Sequence, residues 1–213
     1  LSFILLSAML QNTNKIKILI PGTYHEGEVY YPEKSEIWIG LFNEKDTFYL
    51  KEIKVDFERV NDPVVDMEDE ETGIQVTAEQ DENLIILLDT SFSKMVGVPI
   101  QTSLSTPLQI YHGDSVDISL PDKPKTILLT QNYFLWIEAD KKQQKLANVY
   151  PKGTEESLTI LWAGDLDGDT KVDLIINDIP HYNIWINYRL FLSSYAETDE
   201  IIKEVAGLTG QGC

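Results

Sequence analysis

Thr47-Phe48-Tyr49-Leu50-Lys51-Glu52-Ile53-Lys54-Val55-Asp56-Phe57-Glu58-Arg59 is the stretch that decides the fold class. Tyr49, Ile53, Val55 and Phe57 alternate with Glu52, Lys54, Asp56 and Glu58, and only Lys51 breaks the pattern. A two-residue period sends alternate side chains to opposite faces, so the segment predicts a strand with one buried face. The same signal recurs outward along the chain. Ser35–Phe42 sets Ile37, Ile39 and Leu41 against Glu36, Trp38 and Gly40, and Ser115–Leu120 sets Val116, Ile118 and Leu120 against Ser115, Asp117 and Ser119. Leu84–Leu88 is continuously apolar, as in a strand buried on both faces. Thr126–Leu129 and Tyr133–Glu138 read as further strands, with Ala139–Gln144 as a polar hairpin turn before Lys145–Tyr150. Near the end, Tyr182, Ile184, Ile186, Tyr188, Leu190 and Leu192 share one face of a long strand; Asn183, Trp185, Asn187, Arg189 and Phe191 share the other. Glu197–Ala206 fits both a short helix and a returning strand. The expected fold is all-β, an antiparallel β-sandwich-like architecture.

Two β-units are expected, over residues 15–100 and 106–213, with the Pro-, Ser- and Thr-rich stretch Gly97–Pro107 joining them. No internal repeat of fixed period is visible. Residues 1–10, Leu-Ser-Phe-Ile-Leu-Leu-Ser-Ala-Met-Leu, look like the remnant of a secretory signal peptide, its later apolar part, followed by polar Gln11-Asn12-Thr13-Asn14. They are too few to span a bilayer, and no other run approaches transmembrane length. Cys213 is the single cysteine, so no internal disulfide holds the fold.

The 213 residues carry 35 acidic and 17 basic side chains, a formal charge of −18. That balance argues against nucleic acid, whose phosphates need clustered Lys and Arg, and against an anionic membrane surface. Nine of the acids (Asp62, Asp66, Glu68, Asp69, Glu70, Glu71, Glu79, Asp81 and Glu82) fall between Asp62 and Glu82 with no Lys or Arg among them. Such a run repels itself and predicts a solvated acidic loop over 62–82.

Chemistry concentrates in one segment, Ile160-Leu161-Trp162-Ala163-Gly164-Asp165-Leu166-Asp167-Gly168-Asp169-Thr170-Lys171-Val172-Asp173-Leu174-Ile175-Ile176. Asp165, Asp167, Asp169 and Asp173 stand at positions 1, 3, 5 and 9 of a loop. Four carboxylates so close repel unless a hard cation neutralises them, and calcium takes about six to eight oxygen ligands. Lys171, at position 7, offers a main-chain carbonyl, where the side chain matters little. An EF-hand is excluded: position 12 is Ile176 instead of a bidentate Glu, position 6 is Thr170 instead of Gly, and the flanks read as strands. Magnesium demands stricter geometry, and zinc prefers His and Cys, which this segment lacks. The expected element is a calcium-loop hairpin near the C-terminus.

Trp162-Ala163-Gly164-Asp165-Leu166-Asp167-Gly168-Asp169, followed by Asp173-Leu174-Ile175-Ile176, resembles the calcium loop of FG-GAP and VCBS repeats. The resemblance is local, covering residues 162–176. It implies Asp165, Asp167, Asp169 and Asp173 as side-chain ligands, Lys171 as the carbonyl ligand, and an extracytoplasmic setting. Thr170 departs from the family's usual Gly. Only one copy is present, and a propeller needs several blades, so the resemblance does not extend to a propeller.

His25, His112 and His181 are far apart and lack metal-type spacing, so each reads as a surface or turn residue. A nucleophile elbow, a phosphate-binding glycine loop and an H-E-x-x-H motif are all absent from the sequence. The expectation is a non-enzymatic, secreted or periplasmic calcium-binding protein with a structural or binding role, whose partners are calcium and a glycan or cell-surface protein. The rival expectation is a carbohydrate-binding module or glycan-acting enzyme that uses the Trp185 strand face.

Overall fold

A computed structural model describes residues 16–32, 34–45 and 47–211. The expected signal remnant and Cys213 lie outside the described residues. Among the described residues run seventeen strands and one 3-10 helix, Thr90–Met95. The strands are β1 (Ile18–Leu19), β2 (Gly22–Tyr24), β3 (Glu36–Glu44), β4 (Thr47–Val60), β5 (Gly73–Ala78), β6 (Leu84–Leu88), β7 (Pro99–Ile100), β8 (Thr102–Leu104) and β9 (Leu108–Gln109). They continue as β10 (Ser115–Asp117), β11 (Thr126–Gln131), β12 (Phe134–Ala139), β13 (Lys142–Asn148), β14 (Ser157–Gly164), β15 (Asp173–Ile179), β16 (Ile184–Leu192) and β17 (Lys203–Gln211).

These strands build three antiparallel sheets. The first has the order β1-β6-β3-β4-β5-β2, with β7 paired to β4. The second, β17-β16-β15-β14-β8, also takes β9 on β14, and the third is the meander β10-β11-β12-β13. The second sheet is the central layer. On β15, Ile175 joins the core shared with the first sheet, while Leu174 and Ile176 join the core shared with the third. A strand covered on both faces cannot alternate with polar residues, which is why Leu174-Ile175-Ile176 is continuously apolar. The chain passes from the first sheet to the central one between β7 and β8, inside the Pro-, Ser- and Thr-rich stretch.

The all-β antiparallel expectation is met, and several local expectations are corrected. In β4 the buried positions are Phe48 and Leu50, then Ile53 and Val55, while Tyr49 is only half-buried. The buried face thus changes along one unbroken β3–β4 ladder, because the sheet curls and packs opposite faces at its two ends. For the same reason Ile37 is exposed while Trp38 is buried. The acidic loop expected over 62–82 is interrupted by β5, since Gly73-Ile74-Gln75-Val76-Thr77-Ala78 carries no charge and buries Ile74 and Val76. The polar turn expected over 139–144 shrinks to Asp140-Lys141, both at positive φ, as a two-residue hairpin requires. Glu197–Ala206 resolves as a turn followed by β17, whose pairing with β16 outweighs local helix preference.

Candidate metal centre

The Asp-rich segment connects β14 to β15, and the ladder closes on the pair Gly164↔Asp173. A side chain at Gly164 would put its Cβ 2.4 Å from the Trp162 ring and 2.5 Å from the Gln101 carbonyl oxygen. Glycine therefore lets the backbone press against the 101–102 segment, and the Asp165 amide donates to the Gln101 carbonyl at 2.9 Å. Loop entry is fixed by this contact and loop exit by the buried β15 ladder.

Asp165, Asp167 and Asp173 converge, each offering one carboxylate oxygen, all within 4.8 Å of one another. Asp165 is 8% exposed, Asp173 is 0% exposed and Asp167 is half-buried. Backbone amides wrap the carboxylates. Asp165 accepts from Gly168 N at 2.9 Å and Thr170 N at 3.0 Å; Asp173 accepts from Leu166 N and Ser193 N, both at 2.8 Å. Each ionised carboxylate has about four lone-pair sites, so these bonds leave oxygens able to coordinate. Among the described residues, no ion pair involves any of the loop's carboxylates.

Electrostatics express the same lack of compensation. Burial, followed by the nearby Asp167 charge, pushes the Asp173 carboxyl well above the usual carboxylate range, against the pull of its two amide donors. Burial likewise raises Asp165, with Asp169 and Asp167 adding to it. A buried carboxylate without a counter-charge must be neutralised by a proton or a cation. Three oxygen donors with no His or Cys among them could hold a hard cation.

The other two sequence-derived ligands sit differently. Asp169 accepts from Ser193 Oγ at 2.8 Å and from Lys171 N at 2.8 Å, and it stands outside the three-carboxylate group. Lys171 is exposed at the loop's edge. Thr170 has φ of 70°, a left-handed conformation that a β-branched residue adopts only under strain. Gly168, at φ 82°, bears no such cost.

Ser193 and Ser194, in the turn after β16, were not singled out from sequence. Ser193 holds Asp173 and Asp169, and Ser194 Oγ donates to Asp167. No local pattern marks them, because they lie twenty or more residues from the carboxylates they bind. Met95, at the end of the 3-10 helix, closes over Gly168: a Cβ there would meet its sulfur at 2.9 Å. The site is thus clasped by the β14–β15 loop, the β16–β17 turn and the 3-10 helix.

Trp185 does not share a surface with Asn187 and Arg189. The β16–β17 ladder is irregular between Ile184 and Ile186, and the indole packs toward the first sheet, 5.8 Å from the Tyr24 ring and against Gly22 and Gly210. Arg189 faces the third sheet instead, bonding Asp178 at 3.1 Å, Glu204 at 2.6 Å and the Leu146 carbonyl at 3.1 Å. Asn187 is held by Asp178 and Thr209. Strict alternation fails here because one irregular residue re-aims the side chain.

His25, read from sequence as a surface or turn residue, opens the turn to Glu28 and is bonded through Nδ1 to buried Asp62. That hydrogen bond raises the His25 pKa, with burial opposing it. For Asp62, burial acts upward but is outweighed by the His25 and Val64 hydrogen bonds, which leave it lowered. Comparison with family models, with curated proteins and with solved structures finds no match to the chain.

Proposed function

We propose that the chain is a calcium-stabilised, non-enzymatic β-protein of an extracytoplasmic compartment, with a structural or binding role. The observation that carries this reading is the convergence of Asp165, Asp167 and Asp173, two of them buried, without a cationic partner among the described residues. Calcium coordinates these three carboxylates, with Asp169 and the Lys171 carbonyl completing the oxygen set after a small loop adjustment. The ion locks the β14–β15 hairpin to the Ser193-Ser194 turn. Extracellular calcium fills sites with Kd of about 10⁻⁴–10⁻³ M, whereas the cytoplasm leaves them empty. The resemblance of residues 162–176 to FG-GAP and VCBS loops supports the same ion and setting.

Equilibrium dialysis with calcium tests the reading. One ion per chain in that affinity range is expected, with no binding after Asp167→Ala. No calcium retained by the wild type at several millimolar overturns it. A second reading, glycan contact, is favoured by the partly exposed ring of Trp185, which is 38% exposed. A glycan array on wild type and Trp185→Ala separates the two: signal lost in the variant supports it, and no signal with either removes it.

A further inference from the structure

The loop between β4 and β5 is pinned from inside while its apolar side chains point outward. Asp62, buried beneath it, accepts from Val64 N at 3.1 Å, and the Asp62 amide donates to Asp66 Oδ2 at 2.7 Å. Asp66 also accepts from Thr72 N at 2.8 Å, and the Asn61 side chain donates to the carbonyls of Met67 and Glu70. Yet Val64, Val65 and Met67 are 50%, 64% and 75% exposed. Glu68, Asp69, Glu70 and Glu71 follow, and among the described residues none forms an ion pair. A rigid knob with an apolar tip and an acidic collar has its ordering cost already met, the condition that favours docking.

The complementary surface is on the same molecule. A recess of about 460 Å³ opens between the third sheet and the central one, with apolar walls from Leu120, Pro124 and Ile201. Lys123, Lys142 and Lys171 line it, outnumbering Asp140 and Glu200 in a protein of net charge −18. The volume lies within the range of binding sites and accommodates a Met side chain. Knob and recess belong to different layers, and among the described residues no side chain of the knob reaches the recess, so the complementary pair meets between two copies.

We propose that the Val64-Val65-Met67 knob of one chain seats in the lysine-lined recess of a second copy, giving head-to-tail assembly. Such a contact joins two different patches, so each copy added in an open chain leaves one free knob and one free recess, and assembly passes beyond a dimer until a ring closes. The contact depends on opposite charges near the surface, so salt weakens it. The recess borders the candidate calcium loop, but the inference does not rest on calcium being the ion there.

Sedimentation velocity of the full chain tests this, across roughly a hundredfold in concentration up to about 1 mM, at low and high salt. The wild type is expected to grow beyond dimer with concentration and to shrink as salt rises. A knob variant, Val65→Glu with Met67→Glu, and a recess variant, Lys123→Glu with Lys142→Glu, are each expected to stay monomeric. Mixed in equal amounts, they retain one intact recess and one intact knob, and must form a 1:1 dimer and nothing larger. All four positions are exposed, and circular dichroism checks their folding. Should a Glu variant misfold, Ser at the knob positions and Gln at the recess positions give the same pattern. A wild type monomeric at the highest concentration overturns the proposal. So does a folded variant that assembles like wild type, or a mixture that stays monomeric.

Discussion

Calcium should raise the melting temperature, and Asp167→Asn should invert the effect of the ion on the comparison with wild type. Linkage gives RT ln(1 + [L]/Kd): about 5 mM calcium on a site with Kd of about 10⁻⁴ M contributes about 2.3 kcal/mol. With Kd of about 10⁻³ M the figure is about 1 kcal/mol. For a chain of this size each kcal/mol moves the midpoint by about 2–4 °C, so the expected rise spans about 2–9 °C. Asp167 is the informative position because its own hydrogen bonds, from Asp169 N and the Ser194 hydroxyl, are peripheral to the backbone frame. In chelator its charge repels the neighbouring carboxylates, and Asn keeps an oxygen to accept from the same donors. Two unit charges at the 4.8 Å limit of the cluster repel by about 0.9 kcal/mol in water and about 3.5 kcal/mol at an effective dielectric of 20. The half-buried position of Asp167 puts the relief near the lower figure. Asp167→Asn should therefore melt above wild type in chelator and below it in calcium. Differential scanning fluorimetry with 5 mM calcium, about fifty times the tighter Kd assumed above, or with EDTA reads all four states. Equal wild-type melting in both buffers refutes the reasoning, as does an Asp167→Asn variant that keeps the full calcium shift.

Thr170→Gly removes left-handed strain of roughly 1–2 kcal/mol and loses about 0.5–1 kcal/mol to the freer unfolded chain, so urea unfolding should show a net gain near 0.5–1 kcal/mol. Arg189→Met leaves Asp178, which is 7% exposed, without its cation; chemical unfolding should show a loss of about 3 kcal/mol, the low end for a broken buried pair because Arg189 is itself partly exposed. The His25–Asp62 pair predicts a pH dependence. A raised His25 pKa means its stabilisation is complete below the unfolded value of about 6.5 and is lost as pH climbs through the folded value. Lowered Asp62 contributes throughout that window, since its own loss comes only on strong acidification. His25→Gln should flatten the stability profile above neutral pH, and a variant profile as steep as wild type contradicts the assignment.

Much of the fold and part of the site were legible locally. Period-two alternation marked Ile53 and Val55 as buried strand residues. It also picked out Ile118 and Leu120, which are buried but lie just past the end of β10, since the strand expected over Ser115–Leu120 stops at Asp117. The carboxylate spacing brought out Asp165, Asp167 and Asp173. Spacing speaks only of neighbours along the chain. It placed Asp169 with the other three, whereas Ser193 draws that carboxylate aside. It placed Trp185 beside Arg189, whereas one ladder irregularity sends the indole to Tyr24.

The sequence alone determined the all-β class and a loop dense in carboxylate, because both follow from residues a few positions apart. Tertiary structure decided which carboxylates meet, since burial of Asp173 depends on two cores closing over the opposite faces of the central sheet. It also decided that the serines after β16 hold the loop, that Asp62 lies under its own acidic segment, and that three lysines line one recess. Those outcomes depend on chain segments brought together from tens of residues apart, and one-dimensional pattern does not encode such meetings.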